Sequence, residues 1–212
     1  MALGIEYGDN DGGEIMSIVK YDARAGRIFR IDRNNGTNES VDITNTFQAV
    51  FDFENIETGW ISFDTGSAPH FAVARLGSQK PERPTDKHKQ GLRMLVLLAK
   101  GCGGDLRELA STAKAFVAGL ESLHNLYVAG VKDNAGKLPV VALKTTTPVT
   151  SGSGDKKSTN YQPSFEITAW VPRPAALVWT PKNGAPKPAP STPPSTGSTQ
   201  VSAPADEESA FG

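Results

Sequence analysis

The chain reads as a mainly β protein with one main α-helix. Three observations predict this. Short apolar runs alternate with polar residues at period two, most cleanly where Phe47, Ala49, Phe51 and Phe53 interleave with Gln48, Asp52 and Glu54. Clusters of Gly, Asn, Asp and Pro, which favour turns, separate those runs. One stretch, residues 105–127, instead repeats its apolar residues every three or four positions, the period of a helix with one buried stripe.

In chain order, residues 14–21 and 27–33 flank a turn at 23–26 and predict a β-hairpin. The second run carries Arg27, Phe29, Ile31 and Arg33 on one face and Ile28, Arg30 and Asp32 on the other. Neither face is purely apolar, which suits a strand whose outer face meets a charged ligand and equally a solvated face. A loop over 34–39 leads to a strand over 46–54 with its aromatic face in the core. Strands are expected at 60–64 and 71–76. The segment SQKPERPTDKHKQG (78–91) combines two prolines with five basic residues and reads as a long exposed loop. Residues 92–99 predict a strand buried on both faces, and the glycines of 101–104 break the chain after it.

The helix is expected to start at Asp105, with Glu108 three residues later as a capping box. Leu106, Leu109, Ala113, Phe116, Val117, Leu120 and Leu123 form its apolar stripe, and it should end near Tyr127. After a turn at 133–136, residues 138–147 and 161–171 predict a long hairpin around the loop 151–160, closed by Pro172 and Pro174.

Hydrophobic residues at 38% and charged residues at 21% suit a soluble globule, and no apolar run approaches the about 18 residues of a membrane span. The N-terminus lacks a basic region followed by an apolar stretch, so no secretory signal and a cytoplasmic location are expected. A single cysteine, Cys102, excludes an internal disulfide and a cysteine-based zinc site. The organisation expected is one body over 1–180, a disordered Pro/Ser/Thr-rich linker over 181–205, and an acidic-aromatic tip over 206–212 with Asp206, Glu207, Glu208 and Phe211.

The formal net charge is −1, yet the charge is unevenly spread. Arg75, Lys80, Arg83, Lys87, Lys89, Arg93 and Lys100 face only Glu82 and Asp86 between positions 75 and 100. Such a basic segment fits nucleic acid, and the acidic tip fits recruitment or competition. The glycines before Asp105 resemble a phosphate-cradling turn but lack the Gly-Lys-Ser/Thr end of a nucleotide loop. His70, His88 and His124 share no metal spacing. Asp52, Glu54, Glu57 and Asp64 cluster as a metal-dependent nuclease would require, but no nucleophile–base pair accompanies them. No catalysis, no cofactor and no metal are expected.

What remains is basic side chains interleaved with aromatic ones. Arg27, Arg30, Lys80, Arg83, Lys87, Lys89, Arg93, Lys144, Lys156 and Lys157 are candidate phosphate partners. Trp60, Tyr161, Trp170 and Trp179 are candidate stacking platforms. Single-stranded nucleic acid needs this pairing, since each base offers a π-face and each link a charge. Any one of these aromatics could equally be a core residue.

A β-rich body with one main helix, a Pro/Gly/Ser-rich spacer and an acidic tip with Phe next to the end resembles the single-stranded DNA-binding proteins of bacteria and phages. The strings ENIETGWISFD, KHKQGLRM, GKLPVV and NYQPSFEITAWVPRP also look like a group of phage and prophage proteins. The resemblance implies an OB-fold-like β-barrel of five to seven strands that coats single-stranded DNA without sequence specificity. It further implies a setting in phage replication or recombination and a tip that recruits partner enzymes or competes with DNA. The alternatives are a structural or interaction protein without DNA affinity and a metal-dependent nuclease.

Overall fold

The computed structural model describes residues 16–34, 37–64 and 68–179. They form a ten-stranded sheet with one α-helix among the described residues. The strands are β1 (Ile18–Asp22), β2 (Arg27–Asn34), β3 (Thr37–Asp42), β4 (Gln48–Phe51), β5 (Glu57–Ser62), β6 (His70–Arg75), β7 (Lys89–Leu98), β8 (Leu106–Ser111), β9 (Lys137–Ser151) and β10 (Ser158–Pro172), with α1 (Lys114–Gly130) between β8 and β9. The acidic tip, Asp206, Glu207, Glu208 and Phe211, and the linker before it lie outside the described residues.

The sheet runs β10-β9-β4-β7-β8-β1-β2-β3. Long β7 is its spine. On one side β7 pairs with β8. On the other, its first half pairs with β5 and its last residues with β4. β6 pairs with β5, so the β5–β6 hairpin stands off the main path. The pairs are antiparallel except β1 with β8, where Ile18 faces Glu108. The ladder is not closed into a ring. Its far edge is nevertheless drawn round to the β1–β2 turn, because the Tyr161 N–H on β10 donates to the Ala23 carbonyl at 2.6 Å and the Tyr21 hydroxyl donates to the Tyr161 carbonyl at 2.9 Å.

The core fills the concave side of this curl. Phe47, Ala49, Phe51 and Phe53 are all buried, as their alternation requires, and Phe47, Phe51 and Phe116 surround Phe165 at ring separations of 6.2 to 6.3 Å. Helix α1 closes it with Phe116, Leu120, Leu123 and Tyr127. It approaches β10 closely because position 119 is glycine: a Cβ there would lie 2.4 Å from the Pro163 carbonyl oxygen.

The helix boundary departs from the sequence expectation. Residues 106–111 are strand β8, and the helix begins at Lys114, with the Ala113 N–H held by the Ser111 hydroxyl at 3.1 Å. Leu106 and Leu109 mimic a helical stripe, but β8 sits between β7 and β1, and a strand in that position buries both faces. Glu108 is no capping residue. It pairs with Arg93, while Asp105 pairs with Arg107. The strand expected over 46–54 is also shorter, ending at Phe51 because Asp52 and Glu54 turn toward Arg173 through a 3₁₀ turn at Phe53–Asn55. The end of the loop expected over 34–39 is the start of exposed edge strand β3. The long β9–β10 hairpin is present with arms longer than expected.

Candidate nucleic-acid interface

The basic loop between β6 and β7 folds back on the β5–β6 hairpin rather than standing free. The Trp60 indole N–H donates to the Pro81 carbonyl at 3.1 Å. Lys80 Nζ and the Arg83 guanidinium then lie over the Trp60 ring, at 4.9 and 5.3 Å from its centroid. Cations at that range are attracted to the ring's π-face. Arg83 is fixed from its other side, donating through Nε to the His88 carbonyl at 2.9 Å and through Nη2 to the Asp86 carbonyl. His88 is buried and anchors the loop, with its Nε2 2.8 Å from His70 Nδ1 and its Nδ1 2.8 Å from the Thr85 hydroxyl.

Trp60, Arg83 and His88 form one wall of a cleft of about 680 Å³. Lys89 and Gln90 of β7 line it beside Trp60 and Arg83, and Thr112, Lys114, Val117 and Glu121 line it from the β8–α1 connection and the first turns of α1. Strand pairing sets Trp60 opposite Gln90, which brings the indole and the start of β7 to one rim. Three cations, Arg83, Lys89 and Lys114, thus share a cleft with the Trp60 indole, the His88 imidazole and a single carboxylate, Glu121. Chemically this can hold phosphates by charge and a planar base by its face.

Of the residues singled out from the sequence, Trp60, Lys80, Arg83 and Lys89 come together here. Lys87 lies on the outer side of the loop, 3.3 Å from Asp64. Arg27 and Arg30 sit on β2 and pair with Asp42 at 2.5 Å and Asp32 at 3.0 Å. Lys144 lies on the β9–β10 arm, 3.9 Å from Glu166, and Lys157 is exposed at its tip beside the 3₁₀ turn Gly154–Lys156. Tyr161, half-buried at the base of that arm, packs over Gly26.

Two assignments are corrected. Arg93 is no phosphate partner: it is 2% exposed and held between Glu57 and Glu108. Its position inside β7 turns it inward, and the two carboxylates keep its guanidinium charged against the cost of burial. Trp170 is no free platform, because its ring stacks on Tyr127 at 5.8 Å and lies directly over Gly130. Trp179 is covered by the Arg75 guanidinium at 5.0 Å.

Other motifs resolve into packing. The glycines of 101–104 precede a strand, so no helix N-terminus stands behind them to hold a phosphate. The acids are engaged by cations: Asp52 and Glu54 by Arg173, Glu57 by Arg93, and Asp64 by Lys87. Among the described residues no three His, Cys, Asp or Glu side chains gather as metal ligands would. His124 packs against Phe53 and Tyr127, and burial lowers its pKa.

Sequence reasoning missed Lys114, Gln90 and Thr112. Placing the helix start at Asp105 buried the signal, because it put Lys114 in mid-helix instead of at the mouth of the cleft. No helix among the described residues is long and apolar enough to cross a membrane. No protein-family model, curated protein or solved structure matches the chain.

Proposed function

We propose that this protein binds single-stranded DNA without sequence specificity, through the Trp60 cleft. The observation that carries this reading is a cleft lined by Trp60, Arg83, Lys89 and Lys114, with Lys80 over the Trp60 ring beside it. A base that takes the place of one of these cations on the indole face leaves that cation to meet a neighbouring phosphate, and neither contact depends on base identity. Duplex DNA calls for an element that enters a groove, and the cleft offers none.

The topology supports the same reading. β4 lies between β7 and β9, β7 pairs with β8, α1 follows, and β9 pairs with β10. We read this as an OB-like barrel opened by the N-terminal hairpin, which takes the edge of β8. In such folds the connection after the first strand and the turn between the last two strands embrace the oligonucleotide. Here those are the basic loop beside Trp60 and the arm tip with Lys156 and Lys157. The reading extends to a role in phage DNA replication or recombination in the host cytoplasm, with Asp206, Glu207, Glu208 and Phe211 recruiting partners or competing for the cations.

Fluorescence anisotropy with labelled single- and double-stranded oligonucleotides across a salt series tests it. Expected are tighter binding to the single strand and a linear fall of log K with log salt. Equal affinity for both forms, or no salt slope, overturns it. Deleting residues 206–212 should leave DNA affinity intact or raise it.

A further inference from the structure

The loop that carries Arg83 is fastened by a contact between two imidazoles. His70 Nδ1 and His88 Nε2 are 2.8 Å apart, and the rings meet edge-to-face with centroids 4.9 Å apart. His70 is exposed at the start of β6, whereas His88, the last residue before β7, is 5% exposed. Ser62 pairs with His70 and Trp60 with Ala72, so His70 lies on the face of the β5–β6 hairpin that carries Trp60. The contact therefore ties the end of the loop to β6 beside the Trp60 cleft, which His88 also lines.

Two imidazoles can share this hydrogen bond in only some of their protonation states. With both rings neutral, the N–H of one donates to the bare nitrogen of the other, and with one proton added the bond persists as a charge-assisted one. With both rings protonated neither nitrogen can accept, and two cations face each other at contact distance. Thr85 cannot replace the lost bond, because its hydroxyl lies 2.8 Å from His88 Nδ1, on the other side of the ring.

The charges around the pair do not favour a second imidazolium. On the loop, Lys80, Arg83 and Lys87 stand with Glu82 and Asp86. Asp86 is met by Arg83 at 3.7 Å, and Asp64, just past β5, by Lys87 at 3.3 Å. Lys89 follows on β7, and α1 presents Lys114 and Glu121 across the cleft. Of these groups five are cations and four are acids.

What the contact holds in place is Arg83. Its Nε donates to the His88 carbonyl at 2.9 Å, so the backbone of His88 keeps the guanidinium over the Trp60 ring. We infer that His70 and His88 form a pH-sensitive latch, closed while at least one imidazole is neutral and opened when both are protonated, and that opening frees residues 85–88 and draws Arg83 off the indole. Histidine changes charge between about pH 5 and 8, where such a latch would act. It is a property of the loop and does not rest on what the cleft binds.

Hydrogen exchange of the full chain at pH 7.5 and 5.5, corrected for the intrinsic pH dependence of exchange, tests it, with residues 94–96 of β7 as the internal reference. Wild-type protection at 85–88 should fall about tenfold on acidification, the scale of one lost hydrogen bond, while 94–96 hold. His70→Asn keeps a donor and an acceptor near the position of Nδ1 but does not titrate, so its protection at 85–88 should be the same at both pH values. Equal wild-type protection at the two pH values overturns the latch, and so does a pH step that persists in His70→Asn.

Discussion

The indole N–H of Trp60 and the carbonyl of Pro81 are 3.1 Å apart, and this one bond fixes the basic loop across the strand that carries the ring. Prolines at 81 and 84 stiffen the loop but remove two backbone donors, so side chains hold it down. Trp60→Phe keeps a ring and deletes the donor. A stability loss of about 0.5–1.5 kcal/mol is expected, together with faster amide hydrogen exchange at residues 85–88 and weaker single-strand binding. Unchanged exchange would show that the Arg83 and His88 contacts hold the loop without it.

Arg93 supplies the charge that Glu57 and Glu108 face in the interior. Replacing it with Met leaves two buried carboxylates without that cation and should cost about 3–5 kcal/mol, read as a lower urea midpoint. Residual folded protein should bind DNA as wild type does, in contrast to Lys89→Ala, which should lower the salt slope without changing stability.

Gly119 sets the distance between α1 and β10. With an alanine Cβ 2.4 Å from the Pro163 carbonyl oxygen, backbone must move. Gly119→Ala is therefore expected to destabilise by about 1–3 kcal/mol despite the better helix propensity of alanine, and thermal melting checks the sign.

The pH limits of stability follow from two groups. The hydroxyl and backbone N–H of Thr44, together with Arg27, hold the Asp42 carboxyl at about 2, below its ordinary 3.8. Its contribution is present above pH 3.8 and is lost as pH falls toward 2. Burial, aided by the charge of Asp22, pushes the Tyr21 hydroxyl from 10.0 to about 12. Here the neutral form is the one the fold favours, so stability is present below pH 10 and is lost as pH rises toward 12. Melting temperatures across pH should flatten at the acid edge in Asp42→Asn and at the alkaline edge in Tyr21→Phe.

Alternation at period two marked the strand around 47–51 and a nearly unbroken apolar run marked the one at 92–99, because one-sided and two-sided burial each leave their mark on consecutive residues. Residues 105–111 were not legible as a strand. A strand between two others, with Arg107 and Glu108 both buried on charged partners, has no apolar alternation to display.

The candidate site divides in the same way. Composition and order of the chain determined a β-rich body, a basic loop rich in proline, and a handful of aromatics that could stack. Burial, which depends on where a strand lies in the sheet, decided that Arg93 belongs to the interior while Phe63 meets the surface, and stacking on Tyr127 decided that Trp170 is no open platform. Pairing of β5 with β7, and the short link from β8 into α1, decided that Lys89 and Lys114 share a cleft with Trp60. Those residues lie far apart along the chain, and only long-range strand register brings their charges within reach of one ligand.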